Sequence, residues 1–360
     1  MVTTKARYTI NKHIMSNQDI TPWLNTSDKN DTVVSMLRRL DEEIARSEKS
    51  YPAERLAVVT AELESIQQEI KEFNERNVLQ ISTDSYAKTL HQIFVSLDLY
   101  NRPMLASENE DFIANVNRKE MRRLELMWLC TRQRELQQEQ RLLHAQLLRT
   151  RSLYKQLQQL LDSTWSNGSR PGTGIEDALG RAHALRGALA SVSARLRAAV
   201  EYVHAALRLL DEALPAWKLA SVGKSGWERT AACAEACHVL IRARCSERGA
   251  RRVLAAPAAP RAARALRLAL DYAFTDAIHD HKYQRATETF VQFKEALVQL
   301  VKSIHQVLLN NRDNLAVAEK EVITYRKQLQ VVRVNDIVRR GLADKKYNSA
   351  ALPNLKTTLE

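Results

Sequence analysis

Residues 107–162 read SENEDFIANVNRKEMRRLELMWLCTRQRELQQEQRLLHAQLLRTRSLYKQLQQLLD, and this stretch decides the fold. It contains neither glycine nor proline, so no residue in it interrupts a helix. Ser107 and Glu110 stand at the spacing of a capping box, which predicts that the helix begins at Ser107. A single helix over this stretch would be about 80 Å long, so the sequence predicts a rod.

Leucines recur in the second half of this stretch at the spacing of a coiled coil. Leu136, Leu143 and Leu157 are separated by multiples of seven residues, and Leu147 and Leu161 occupy the second position of the repeat. Side chains repeating every 3.5 residues are buried only when a partner helix lies along them. The long helix is therefore expected to pack against another helix.

Apolar residues at alternating three- and four-residue spacing also occur before and after this stretch. They predict an all-α fold of elongated, antiparallel coiled-coil or helical-bundle hairpins with two long helices. Residues 182–212, beyond a Gly-rich loop, are expected to fold back along the long helix. The predicted seam residues are Leu56, Val59, Leu63, Ile66, Ile70, Phe73, Leu136, Leu143, Leu147, Leu157, Leu161, Leu185, Leu189, Val192, Leu196, Val203 and Leu210.

Polar, glycine- and proline-containing stretches interrupt the apolar spacing and predict five segments. A polar, flexible lead-in covers 1–30, a first coiled-coil region covers 31–162, and a linker, STWSNGSRPGTG, begins at 163 and ends at 174. A second, basic helical region covers 175–340 and a flexible tail covers 341–360. Within the second region the sequence predicts a break from Pro215 to Gly226.

The second long helix is expected from Arg261 to about Asn311, with a separate final helix from Leu315 to about Arg340. Only 9 Gly and 8 Pro occur in 360 residues, so few turns interrupt the helices. No run of about 18 apolar residues is present and the N-terminus lacks the apolar core of a secretion signal. These features predict a soluble, cytoplasmic protein.

Charge is distributed unevenly along the chain. Residues 31–105 hold 9 Lys and Arg against 13 Asp and Glu, whereas residues 166–360 hold 31 against 19. A basic half suits an anionic partner such as an acidic protein surface, a membrane or a nucleic acid, although solvated helix faces also carry arginine. The candidate contacts for such a partner are Arg242, Arg244, Arg248, Arg251, Arg252, Arg261, Arg264 and Arg267.

This arginine cluster has two interpretations. Arginine binds phosphate and carboxylate in a fixed geometry, which favours contact with an anion. The cluster contains no aromatic residue for base stacking, and it is also rich in alanine, so it can equally reflect a compositional bias of the coding sequence.

Two clusters of residues are of the types that bind metal ions. Cys233 and Cys237 share a helix face, but a second close pair is missing, so small buried side chains are the better interpretation. Asp276 and His279 could bind a metal or move protons, but a polar surface or a local helix break explains them as well.

No catalytic or nucleotide-binding motif occurs in the chain. The triplet G-K-S at 223–225 lacks the preceding glycine and strand of a phosphate-binding loop and reads as a turn. The sequence thus predicts a protein without catalytic residues, cofactor, metal or small-molecule substrate.

The segments RRLELMWLCTRQREL at Arg122–Leu136 and LYKQLQQLLD at Leu153–Asp162 resemble the central coiled coils of the third subunit of augmin. The order of the C-terminal helices, through Leu297–Leu300, is loosely similar as well. Augmin recruits the microtubule-nucleating machinery to spindle microtubules, so the resemblance implies a structural subunit of a cytoskeletal assembly. No functional residue is carried over from that family.

The leading hypothesis is a non-enzymatic scaffold of a multi-protein cytoskeletal assembly, associated with microtubules or the spindle. Its partners would be other coiled-coil proteins, in a hetero-complex or homo-oligomer, and an acidic surface such as tubulin. The alternative is a crescent-shaped helical module that binds anionic membrane through its basic second half. An enzyme built around Asp276 and His279 is a third interpretation.

Overall fold

The computed structural model describes residues 29–76, 86–102, 104–165, 170–256 and 261–350, with the side chains of 29–32, 76 and 341–350 left aside. Within these ranges the chain is helical and has no strand, so the predicted all-α fold with long helices is confirmed. Most of the predicted lead-in, the middle of the linker and the end of the tail lie outside the described residues. The helices are α1 (Lys29–Glu48), α2 (Pro52–Arg76), α3 (Tyr86–Ser96), α4 (Met104–Glu108), α5 (Glu110–Thr164), α6 (Thr173–Val222), α7 (Gly226–Leu254), α8 (Arg261–Asp271), α9 (Ala273–Asp276) and α10 (Asp280–Ala350).

The long helix predicted from residues 107–162 is α5, but its predicted start is wrong. Ser107 lies in the short helix α4, and α5 begins only at Glu110. Asn109 precedes α5 and its side chain caps no amide of that helix. Its Nδ2 atom instead donates to the carbonyl of Leu105 at 2.9 Å, so a short helical turn replaces the capping box.

Helices α1 and α2 follow each other along α5 in the opposite direction. At one end Leu37 packs against Leu161, and further along Arg55 pairs with Glu139 at 3.0 Å. The seam between α2 and α5 buries side chains of both helices, as the leucine spacing predicts. Its buried members are Val59, Leu63, Ile66, Leu129, Leu136 and Leu143.

Helices α6 and α10 also run antiparallel. The Nζ of Lys294 lies 2.5 Å from an oxygen of Asp211. Further along α10 the Nδ2 of Asn311 donates at 2.9 Å to the carbonyl of Leu189, which comes earlier in α6. Helix α10 runs parallel to α5, because Lys282 pairs with Glu110 at the starts of both helices and Trp165 donates to Asp336 near their other ends. The long helices therefore lie side by side along one direction.

The expected pairing of residues 182–212 with α5 is not what the structure shows. Helix α6 packs chiefly against α7 and α10. Tyr202 on α6 bonds to both Glu62 on α2 and Arg132 on α5, so α5 and α6 meet at shared contacts. The short apolar side chains of α6 bring α7 and α10 close to it, and this packing displaces the expected hairpin partner.

The predicted break from Pro215 to Gly226 is wrong in its extent. Helix α6 continues through Pro215 to Val222, and only Gly223–Ser225 separates it from α7. Trp217, just beyond the proline, is buried and bonds to Thr287 on α10, so tertiary packing sustains the helix.

The predicted long helix from Arg261 to Asn311 is also wrong in its limits. It is divided around Tyr272 and again at 277–279, whereas α10 runs without interruption through the expected break after Asn311 and into the predicted tail, ending at Ala350. Asn311 is buried and donates to Ser193 Oγ at 2.7 Å, so its amide is satisfied by α6 without breaking the helix.

Two of the predicted seam residues do not lie in a seam. Leu185 is 51% exposed and Val192 is 43% exposed, because α7 and α10 cover neighbouring faces of α6. The other predicted seam residues are buried or half-buried. The largest core joins helices of both predicted regions, with Phe94, Trp217 and Phe290 among its members.

Candidate functional site

The predicted arginine cluster is divided by the fold, and its centre is paired with carboxylates. Arg244 is 9% exposed and forms an ion pair with Glu125, which is itself buried on α5. Arg248 lies 2.6 Å from Glu69 on α2 and 3.6 Å from Glu125. These pairs tie α7 to α2 and α5.

The neighbouring arginines Arg251 and Arg252 are also occupied by contacts within the chain. Arg251 bonds to Glu247 at 2.6 Å within α7. Arg252 lies 3.2 Å from Glu69 and places its guanidinium over the ring of Trp128 at 5.7 Å. Four of the eight candidate contacts therefore serve the packing of α7.

The other four arginines remain on the surface. Arg242, Arg261, Arg264 and Arg267 are exposed, and the structure gives them no carboxylate among the described residues. Arg261 and Arg264 lie on the same face of α8 as Leu268, which is also exposed. This face is basic and partly apolar.

A groove of about 500 Å³ lies between α2, α5, α7 and α8 at the buried end of this cluster. Five arginines and four carboxylates line it, so the groove is nearly neutral and most of its charged side chains face partners of opposite sign. The ionic residues that line it are Glu69, Glu72, Arg118, Arg122, Glu125, Arg244, Arg248, Arg267 and Asp271.

Burial and the charges of Arg248 and Arg267 lower the pKa of Arg244 to about 10. Arg244 nevertheless stays protonated near neutral pH, because that value lies well above 7. A buried guanidinium of this kind requires its carboxylate partner, so the pair with Glu125 is structural.

The predicted cysteine cluster lies inside the core. Cys233, Cys237 and Cys245 are buried free thiols, and burial raises the pKa of Cys233 and Cys245. They pack small side chains between helices, as expected for an alanine-rich helix. Among the residues that the structure describes, no three His, Cys, Asp or Glu side chains are grouped so that they could hold a metal ion.

Asp276 and His279 lie at the junction between α9 and α10, where the chain makes a local helix break. Burial raises the pKa of Asp276 to about 7, and Glu110 acts in the same direction against Lys282 and Arg285. Lys282 bonds both oxygens of Glu110 at 3.1 Å. The junction is thus a packed, polar contact between α5 and α10.

The predicted turn at 223–225 begins α7. Ser225 is the N-cap residue, and its hydroxyl accepts a hydrogen bond from the amide of Glu228 at 3.1 Å. A carboxylate oxygen of Glu228 accepts from the amide of Lys224 at 2.8 Å. These bonds account for the G-K-S triplet as a helix start.

Glu48 on α1 contacts residues of three other helices, and nothing in the sequence indicated these contacts. Arg186 on α6 lies 3.0 Å from it, Arg326 on α10 lies 3.1 Å from it, and Tyr154 on α5 donates to it. Burial opposes ionisation, but Tyr154, Arg326, His183 and Arg186 together outweigh it and lower the pKa of Glu48. One carboxylate therefore joins four helices.

The outward face of α10 was also missed. Val317 and Val331 are each 57% exposed, Ile323 is 52% exposed and Val338 is 47% exposed. The spacing of Val317, Val331 and Val338 by multiples of seven was a signal in the sequence, within the final helix predicted from Leu315 to about Arg340.

The chain was compared with protein-family models, curated proteins and solved structures, and none of them matches it. None of the described helices combines the length and the apolar character that crossing a bilayer requires.

Proposed function

We propose that this chain is a non-enzymatic helical scaffold, a structural subunit whose uncovered helix faces bind other helical proteins. The observation that carries this proposal is the exposure of apolar side chains at coiled-coil spacing. Leu185 and Val192 on α6 are seven residues apart, and Val331 and Val338 on α10 are also seven apart. Such repeats bury their side chains when a further helix lies along them.

The architecture supports the same role. Helix α10 is 71 residues long, or about 105 Å, and α5 is 55 residues long, or about 80 Å. Helices of this length carry separated binding surfaces on one rigid body. The ion pairs of Glu48 and of Glu125 hold the helices in one register, which a scaffold needs in order to present those surfaces together.

The kind of assembly is inferred from the augmin-like segments at 122–136 and 153–162. We propose that it is a cytoskeletal assembly at microtubules or the spindle, and that the partners are other coiled-coil subunits. The exposed arginines Arg242, Arg261, Arg264 and Arg267 offer contacts to an acidic surface such as tubulin.

The experiment that tests the scaffold role is affinity purification of the full chain from native cells, with mass spectrometry of the proteins that co-purify. A variant with Leu185→Ser and Val192→Ser is compared with Ala184→Ser and Ala188→Ser, which change exposed residues of the same helix. We expect a defined set of helical subunits that is lost in the first variant and kept in the second. A full chain that behaves as a compact globular monomer in light scattering, with no co-purifying subunit, would contradict the proposal.

The alternative of membrane binding is favoured by one observation, the basic and partly apolar face of α8 formed by Arg261, Arg264 and Leu268. Basic residues beside an apolar side chain suit an anionic bilayer surface. The test is sedimentation with vesicles of phosphatidylserine and phosphatidylcholine at increasing salt. Binding that depends neither on the anionic lipid nor on salt would remove this alternative.

A further inference from the structure

We propose that the outward face of α10 binds an acidic amphipathic helix of another protein, over residues 309–338. This inference deepens the proposed scaffold function and rests on it, because it names the chemistry of one partner surface. The face is here called the α10 stripe, and its exposed apolar members are Leu309, Val317, Ile323, Val331 and Val338.

The α10 stripe lies opposite the face that α10 buries in this chain. Leu315, Ala318, Val322, Leu329 and Ile337 are the buried side of this part of the helix. At 100° per residue, the stripe is centred on the other side of the helix. Two apolar faces on one helix indicate two sets of helical neighbours, of which this chain supplies one.

Lys320, Lys327 and Asp313 lie within the α10 stripe, so the stripe carries a net positive charge. Lys320 and Lys327 are exposed, seven residues apart, and neither has an acidic residue three or four positions away on the helix. No carboxylate among the described residues forms an ion pair with either of them. Two of the nearby acids have other partners, since Asp313 pairs with Arg312 and Glu319 accepts from Tyr51.

A helix that covers the stripe must therefore bring both apolar side chains and carboxylates. Leucine or isoleucine at the two core positions of each heptad would cover Val317, Ile323, Val331 and Val338. Glutamate at the flanking positions would pair with Lys320 and Lys327, whose long side chains can reach from the middle of the stripe to its edge.

The two ends of this chain and its acidic helix α2 do not have that chemistry. The first 28 residues hold three Lys and Arg against two Asp and Glu, and residues 341–360 hold three against two. The acidic helix α2 exposes no large apolar side chain, so a second copy could not offer α2 to the stripe. The charge of the stripe thus favours a helix from a different protein.

The test uses the full chain and two labelled peptides of four heptads, about 28 residues each. Both peptides carry leucine at the two core positions, one carries glutamate at the flanking positions, and the other carries lysine there. We expect fluorescence anisotropy to show that the glutamate peptide binds about tenfold more tightly than the lysine peptide. Equal affinities, or no binding of either peptide, would overturn the inference.

Two variants locate the binding on the stripe. Lys320→Glu with Lys327→Glu is expected to reverse the preference between the peptides, whereas Lys119→Glu with Lys155→Glu on α5 makes the same charge change elsewhere and is expected to preserve it.

The second variant replaces Val317, Val331 and Val338 by Ser and is expected to lose at least about tenfold in affinity for the glutamate peptide. Its control, Leu142→Ser with Leu148→Ser, changes exposed leucines of α5 and is expected to leave the affinity unchanged. Unaltered binding by either stripe variant would place the peptide elsewhere and overturn the inference.

Two other segments could cover the α10 stripe, a second copy of the chain or its own residues 1–28, and each gives a different result. If the chain dimerises in light scattering and the valine variant is monomeric, a second copy covers the stripe and the inference is overturned. If removal of residues 1–28 tightens peptide binding about tenfold or more, the chain covers its own stripe and the inference is again overturned. A chain that purifies with its helical subunits but binds no acidic peptide would keep the scaffold function and lose only this inference.

Discussion

Arg244 and Glu125 face each other between α7 and α5 with little access to water. Their side chains are 11% and 5% exposed. Removal of one partner from such a pair leaves a buried charge that is only partly compensated. The register of α7 against α5 therefore depends on this pair.

We predict that Glu125→Ala lowers the free energy of unfolding by about 3 kcal/mol, because Arg244 then stays buried without its closest carboxylate. The double variant with Glu125→Leu and Arg244→Met is expected to lose less. Arg242→Ala, on the exposed side of α7, should change stability by about 0.5 kcal/mol or less. Urea denaturation measures all three, and an equal loss in every variant would contradict the prediction.

The raised pKa of Asp276 makes the free energy of unfolding depend on pH. Because its pKa is raised to about 7 in the folded chain, the folded state binds more protons than the unfolded state between about pH 4 and pH 7. Its contribution to stability is therefore lost as pH rises through that window, and it is constant above it.

Asp276→Asn should remove this loss. We expect the variant to gain about 1–2 kcal/mol over the unmodified chain at pH 8 and nothing near pH 4. Asp313→Asn, at an exposed carboxylate of α10, is the control. Urea denaturation at a series of pH values measures the difference, and a gain that does not vary with pH would refute the explanation.

Helices α6 and α7 are closely packed at Gly249. A Cβ atom added there would lie 2.6–2.9 Å from the ring of Tyr202. That ring is held by Glu62 and Arg132, so it has little room to move away. Gly180, by contrast, is a helical glycine of α6 with nothing within 4 Å of an added Cβ.

Gly249→Ala should therefore destabilise the fold by about 1–3 kcal/mol through overpacking. Gly180→Ala should stabilise it by up to about 1 kcal/mol, since alanine restricts the unfolded chain and favours helix. Thermal unfolding of the two variants gives shifts of opposite sign if the contact between the helices is as described. Shifts of the same sign would contradict it.

The predicted seam residues differ in how deeply the fold buries them. Leu143 is 2% exposed between α5 and α2, whereas Leu185 is 51% exposed on α6. Leu143→Ala should cost about 2–4 kcal/mol of stability, and Leu185→Ala about 0.5 kcal/mol or less. Chemical denaturation compares them, and equal losses would mean that Leu185 is covered within the chain.

For the molecule as a whole, the long helices determine its dimensions. A compact domain of 360 residues would have a radius of gyration of about 21 Å, whereas α10 alone is about 105 Å long. We predict a radius of gyration well above the compact value and a maximum dimension of at least about 100 Å in small-angle X-ray scattering. Scattering that fits a sphere of this mass would be incompatible with the structure.

The ends of helices were predictable where proline or glycine in the local sequence marks them. Pro52 marked the start of α2 because proline is accommodated in a first turn, and the glycines after residue 166 marked the end of α5. Pro215 was misleading, since the contact of Trp217 with α10 sustains a helix that the local sequence would interrupt. Asn311 misled in the same way, because its amide is satisfied by α6.

By itself the sequence determined that this protein is helical and that its helices are long. Sparse glycine and proline and three-four spacing act within one helix, so they can be read locally. Only the tertiary structure decided which arginines are paired, which repeats are buried and which face of α10 stays exposed. Those properties depend on the register between helices that are far apart in the chain, as Glu48 with Arg326 and Glu125 with Arg244 show, and no local pattern records that register.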